Sequence, residues 1–240
     1  MHISKLPIDQ KMTRRRIIEL SYQSKLSHLG SNLSAVDLID AVYRTKKKEE
    51  RFILSAGHAG IALYVVLEKN GFLDVSKIDG LHIHPDRNAE FGIDLSTGSL
   101  GQGLPIATGM ALADRTKGVF CLVTDGECAE GSIWESLRII HDEKINNLNL
   151  FVNANNWGAY CYIPPLTLLK RIKGFGFKVI VVDGHKMDKI LSVINKSNGK
   201  EPLIIFANTT VEQFAFLKGQ DAHYYVMNDS DYKSAMGLLK

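Results

Sequence analysis

Short apolar runs alternate along the chain with longer stretches in which apolar positions recur every three or four residues. From Glu130 onward, Ile133, Leu137 and Ile140 fall at spacings of four and three, which puts them on one face of a helix. The same pattern predicts helices over 9–27, 34–44, 58–70, 101–115, 130–143, 164–174, 186–197 and 231–239. Strands are predicted at Phe52–Leu54, Val119–Val123, Leu148–Val152, Phe177–Val182 and Leu203–Phe206. The middle runs are rich in β-branched and aromatic residues, as expected of parallel strands covered on both faces. The expected fold is α/β, a doubly wound, mostly parallel sheet with helices on both faces and ligands at the carboxyl ends of its strands. No repeat or low-complexity segment interrupts the pattern, so one domain over 1–240 is expected.

Composition narrows the class. With 45% apolar and 23% charged residues the chain reads as globular. The 29 basic and 26 acidic residues are dispersed, except at Arg14–Arg16 and Lys46–Lys48. Those two runs are read as solvated surface, and no nucleic-acid groove is indicated. No apolar run reaches the ~20 residues of a membrane span, and the first residues lack the apolar core of a secretory signal. Cys121, Cys128 and Cys161 are odd in number and lack metal-ligand spacing. They are read as reduced, structural residues of a cytoplasmic protein, in which the Asn-x-Ser/Thr matches at Asn32 and Asn208 carry no meaning.

Candidate chemistry begins at Thr124-Asp125-Gly126-Glu127, directly after one predicted strand. Asn155 follows the next. A carboxylate and an amide oxygen at neighbouring strand ends can hold a hard cation such as Mg²⁺, which takes its remaining ligands from phosphate and water. Gly126 allows a diphosphate to approach the backbone. Asp-Gly is also a common turn, and an Asn after a strand is often a plain loop residue.

The flanking segments add context. This pair resembles the Gly-Asp-Gly…Asn motif of thiamine-diphosphate enzymes, with Thr124 in place of the first glycine. Ser27-His28-Leu29-Gly30, Arg51–Ala59, His84-Pro85-Asp86-Arg87, Ser96–Gly103 and Glu130–Glu135 resemble, in order, segments of the transketolase family. The resemblance runs from about residue 15 to 155 and weakens beyond. Further on, Phe175–His185 resembles a strand ending in a structural Asp-Gly-His turn, and Ala222-His223-Tyr224-Tyr225 resembles a Trp-His-Tyr segment. Four departures stand out. Leu29 replaces a proline, Thr124 a glycine and Asn153 a common aspartate, and Val211–Phe214 replaces a Lys-Gly-x-Gly loop over the cofactor.

The resemblance implies thiamine diphosphate and Mg²⁺ as cofactors. It implies Asp125, Asn155 and Trp157 as metal ligands, and Gly126 and Glu127 as further cofactor contacts. Gly98 and Leu100 would form a turn against the cofactor rings, with Gly101 and Gly103 serving packing. His58 would lie beside the diphosphate, His28 and His84 would face the substrate, and His223 would touch both diphosphate and substrate. Histidine suits proton transfer because its unperturbed pKa is near 6.5. Glu130 would join a carboxylate network that links paired cofactors near a dimer interface; otherwise it and Glu135 are ordinary acids at a helix N-terminus.

Nothing in the chain resembles the family's pyrimidine-binding domain with its activating glutamate. The expectation is therefore the N-terminal subunit of a split transketolase, moving a two-carbon ketol unit between small-molecule sugars in a specialised branch of sugar metabolism. A C-terminal subunit would complete it as a two-plus-two heterotetramer. The alternatives are a deoxyxylulose phosphate synthase-like or oxoacid dehydrogenase-like subunit, and a non-catalytic cofactor-binding module. The segments His84–Arg87 and Ser96–Gly103 favour the transketolase reading over the first pair, and the retained Asp125, Asn155 and histidines over the last.

Overall fold

A computed structural model describes residues 3–74, 76 and 82–240. Five strands, β1 (Arg51–Leu54), β2 (Val119–Thr124), β3 (Leu148–Ala154), β4 (Val179–Asp183) and β5 (Leu203–Asn208), form one sheet in the order β1-β2-β3-β5-β4. Every pairing is parallel. Successive side chains of a strand point to opposite faces, and two separate cores result. Phe52, Leu54, Phe120, Leu122 and Phe151 enter one, while Ile53, Cys121, Val123, Leu150 and Val152 enter the other.

Helices α1 (Ile8–Gln23), α2 (Leu29–Thr45) and α3 (Gly60–Lys69) cover the first face. Helices α4 (Gly103–Ala113), α5 (Gly131–Asp142) and α6 (Pro165–Lys173) cover the second. After β3 the chain skips one place to the edge strand β4, then returns to insert β5 between them. Crossovers between parallel strands are almost always right-handed, so reversing the direction of travel moves the connecting helix to the other face. Accordingly α7 (Met187–Lys196) packs Ile190 into the first core, where α8 (Asp229–Leu238) also docks.

The doubly wound expectation holds, with shifted boundaries. Helix α2 starts at Leu29, five residues ahead of the pattern, because Leu29–Val42 are all buried and tertiary packing overrides the poor helix propensity of Gly30, Ser31 and Asn32. Helix α1 stops at Gln23, where Ser24 caps it and Lys25 turns left-handed at φ 51°. Strand β4 begins only at Val179, because Phe175 is drawn off to stack against Trp134 and Phe177 to meet His141 edge-on, both on α5.

One surface expectation is corrected. Arg14 is not solvated: it is fully buried and paired with Asp37 at 2.5 Å. Its guanidinium also holds Gln213, and Asp37 receives His185 at 3.0 Å. The basic triplet misleads because α1 packs against α2, α3 and α8 and turns one of its three arginines inward. Cys121 and Cys128 are buried and Cys161 is exposed, all three as free thiols.

Candidate active site

The carboxyl ends of β1, β2 and β3 open beneath a crevice of about 130 Å³. Asp125 leaves β2 buried, with Oδ1 accepting the Gly126 N–H at 2.9 Å and Oδ2 the Asn156 N–H at 2.5 Å. Burial pushes its carboxyl up to about 7, against the pull of those backbone donors. Asn155 leaves β3 equally buried, with Oδ1 accepting the Trp157 N–H at 3.0 Å. The turn that makes both contacts depends on Asn156 at φ 75°, a conformation Asn tolerates better than most residues. A methyl group on Gly126 would lie 2.8 Å from the Gly158 Cα and 3.5 Å from the Trp157 carbonyl oxygen, so two backbones meet here with no room for a side chain.

Four histidines from distant parts of the chain gather above these strand ends. The His28 ring lies 5.3 Å from His58, 6.3 Å from His84 and 6.5 Å from His223. His28 sits left-handed at φ 61° just before α2, and its N–H donates to the His223 carbonyl at 2.7 Å. Burial, with the neighbouring histidines, lowers His28 to about 4 and His58 to about 3; burial also lowers His223. All three are therefore neutral at pH 7 and can donate or accept hydrogen bonds. Among the described residues, the Nδ1 atoms of His28 and His223 are buried without a hydrogen-bond partner, an unfavourable state that a bound polar ligand would relieve.

The structure gathers His28, His58, His84, Gly98, Leu100, Gly126, Glu127, Trp157 and His223 around the crevice. Asp125 and Asn155 lie at its base and do not line it. Glu130 lies outside, exposed at the N-cap of α5, against the turn at Gly101. Glu127 is fully buried and its oxygens are committed within the protein, to Ser55 Oγ–H at 2.5 Å, Gly101 N–H at 2.8 Å and Thr124 N–H at 3.4 Å. Its carboxylate braces the Gly98–Gly103 turn against β2. Gly98 takes φ 152°, and a methyl group there would lie 2.9 Å from the His84 ring; one on Gly103 would lie 2.5 Å from the Ser55 Cα.

The loop that departs from the family pattern has turned inward. Val211, Gln213 and Phe214 are buried, and the Gln213 amide donates to the Leu33 carbonyl at 2.8 Å. The Val211 Cβ stands 2.9 Å from where a methyl group on Gly30 would be, so this loop and Gly30 together back the His28 wall. Sequence reasoning missed Tyr224, Gly158 and Ala159, which also line the crevice. Tyr224 could have been found, since it directly follows His223 in a recognised segment; its ring stands 5.8 Å from His28.

The arrangement fits a diphosphate held through a divalent ion. It offers one carboxylate, one amide oxygen and a nearby backbone carbonyl, the sparse oxygen set that Mg²⁺ favours. Among the described residues no group of three or more His, Cys, Asp or Glu could hold a metal by itself.

A sequence profile of the family described as "Transketolase, thiamine diphosphate binding domain" matches residues 17–236, and the chain belongs to that family. It is 30% identical over 260 residues to the 6-deoxy-6-sulfo-D-fructose transketolase subunit SqwG of Clostridium sp. (strain MSTE9), covering 96% of this chain and 93% of the relative. It is 29% identical over 265 residues to an apulose-4-phosphate transketolase subunit of Phocaeicola vulgatus, covering 98% and 94%. A transketolase mutant from Pichia stipitis superposes with a TM-score of 0.83 at 20% identity, covering all of this chain. Transketolase from Campylobacter jejuni gives 0.79 at 24% identity over 97% of this chain. These two show the shared fold, and this chain spans 41% and 42% of their length.

Proposed function

We propose that this chain is the cofactor-binding subunit of a two-component transketolase that transfers a two-carbon ketol unit from a ketose to an aldehyde. The observation that carries this reading is the convergence of four histidines above the Asp125 and Asn155 strand ends. Asp125, Asn155 and the Trp157 carbonyl would hold Mg²⁺, and through it the diphosphate, with His58 and His223 beside the phosphates. Thiamine diphosphate held there would supply the nucleophilic carbon that ketol transfer requires. His28, His84 and His223 hold or move protons at the substrate's oxygens; burial keeps the first and last neutral and so able to accept one. Glu130, outside the crevice, would act across a protein–protein interface and not on substrate.

Two relatives of nearly the same length are named as subunits, which supports a companion chain carrying the pyrimidine-binding domain in a two-plus-two assembly. Their names, which specify a sulfofructose and apulose 4-phosphate, support a specialised sugar as substrate. The free cysteines agree with a cytoplasmic setting, and among the described residues no helix is long and apolar enough to cross a membrane. The test is calorimetry of thiamine diphosphate binding with and without Mg²⁺, followed by a ketol-transfer assay with the companion chain. Mg²⁺-dependent binding, and activity only in the complex, are expected. Cofactor binding indifferent to Mg²⁺, or full activity from this polypeptide alone, overturns the reading.

A further inference from the structure

Beneath the crevice, Ser34 on α2 faces the ends of β3. Its hydroxyl donates to the Ser31 carbonyl at 2.9 Å and accepts from two amides, Asn153 Nδ2 at 2.9 Å and Asn155 Nδ2 at 3.4 Å. A hydroxyl has one proton and two lone pairs, so this fully buried serine is completely used. Asn153 is fixed a second time, because its Oδ1 accepts the Thr209 hydroxyl at 2.5 Å. Among the described residues Asn155 has one other orienting contact, the Trp157 N–H on its Oδ1.

The two ends of a carboxamide are nearly alike in size, and hydrogen bonds alone decide which way it faces. For Asn155 that choice is chemical: a divalent cation takes the oxygen, while the amide N–H₂ would be turned against it. We propose that Ser34 is a positioning residue which holds the Asn155 amide with its nitrogen inward and its oxygen available to the metal. The proposal rests on the cofactor reading above. It gives Ser34 a place just outside the metal's own ligands, where losing an orienting partner typically weakens metal affinity ~10–100-fold.

The experiment titrates Mg²⁺ into the full chain at fixed thiamine diphosphate, reading binding by calorimetry and by intrinsic tryptophan fluorescence, for wild type, Ser34→Ala, Ser34→Thr and Thr209→Ala. Thr209 belongs to the same buried polar group but touches Asn153 and not Asn155, so Thr209→Ala reports a merely structural loss. The expected result is a Mg²⁺ half-saturation raised ~10-fold or more in Ser34→Ala. It should return to within threefold of wild type in Ser34→Thr, which keeps the hydroxyl, and stay there in Thr209→Ala although that variant melts earlier. Should Ser34→Ala fail to fold, Ser34→Cys fills the space with a weak acceptor and serves the same comparison. A half-saturation within threefold of wild type in the hydroxyl-free variant overturns the proposal, as does an equal rise in Thr209→Ala. If wild type itself shows no Mg²⁺-dependent binding, the cofactor reading falls and this proposal with it.

Discussion

Replacing Asp125 with Asn should stabilise the metal-free protein while removing its metal site. Burial raises the Asp125 carboxyl from 3.8 to about 7. A shift of that size corresponds to roughly 4 kcal/mol at ~1.4 kcal/mol per unit, an upper bound on what ionising this group costs the fold. As pH climbs from about 4 to about 7, the unfolded chain gives up a proton that folded Asp125 retains, so the group removes stability across that window and no more above it. Asn avoids the charge but has only one acceptor oxygen for the N–H groups of Gly126 and Asn156. One donor left unmatched costs about 1–3 kcal/mol. The net gain at pH 8 is then about 1–3 kcal/mol, or a few degrees for a chain of this size. Thermal unfolding followed by circular dichroism, with chelator present, at pH 5 and pH 8, measures it. The buried histidines titrate alike in both proteins and cancel in the difference. The advantage of Asp125→Asn should grow by roughly 2–3 kcal/mol between the two pH values. An advantage that stays constant or shrinks would refute the reasoning.

Four further variants have expected outcomes from the same structure. Asp37→Ala strands the buried Arg14 guanidinium and should cost ~3–5 kcal/mol in denaturant unfolding. Burial pushes Asp37 upward, but Arg14 and His185 overcome it and hold the carboxyl well below the usual range. Its contribution is therefore intact above pH 4 and lost as pH falls further, so Asp37→Asn should flatten the acid limb of the wild-type stability curve below pH 4. His58→Ala should weaken thiamine diphosphate binding, whereas His84→Ala should leave binding nearly intact and lower turnover ~10²–10⁴-fold; calorimetry beside a rate assay separates them, and the reverse pattern contradicts both roles.

Periodicity alone revealed the strand–helix alternation, because β2 and β3 are mostly apolar runs and need no tertiary information to be seen. It failed where packing overrides propensity, as at Gly30–Asn32, which are helical only because α2 is buried on every side. The histidines were legible through their flanking residues, although their distances are set by the fold. Asp125 and Asn155 were legible as strand-end residues, yet nothing in their spacing says that both sit below the crevice and bind the N–H groups of the next loop. Glu127 was legible as a residue beside the Asp-Gly turn, but only the folded chain shows its oxygens taken by Ser55, Gly101 and Thr124. The inward turn at Val211–Phe214 was visible only as a departure, since a long-range partner such as Arg14 leaves no local trace.

The backbone bond from His28 to the His223 carbonyl also has a bearing on biosynthesis. During synthesis the first three helices and β1 emerge long before that carbonyl exists, so the histidine has to wait, unseated, until residue 223 has been added. An interrupted or C-terminally clipped product could keep most of the sheet and still present a mislaid His28. Loss of the turn at Gly219–His223 together with α8 would then register as missing ligand binding in a protein whose circular dichroism looks healthy.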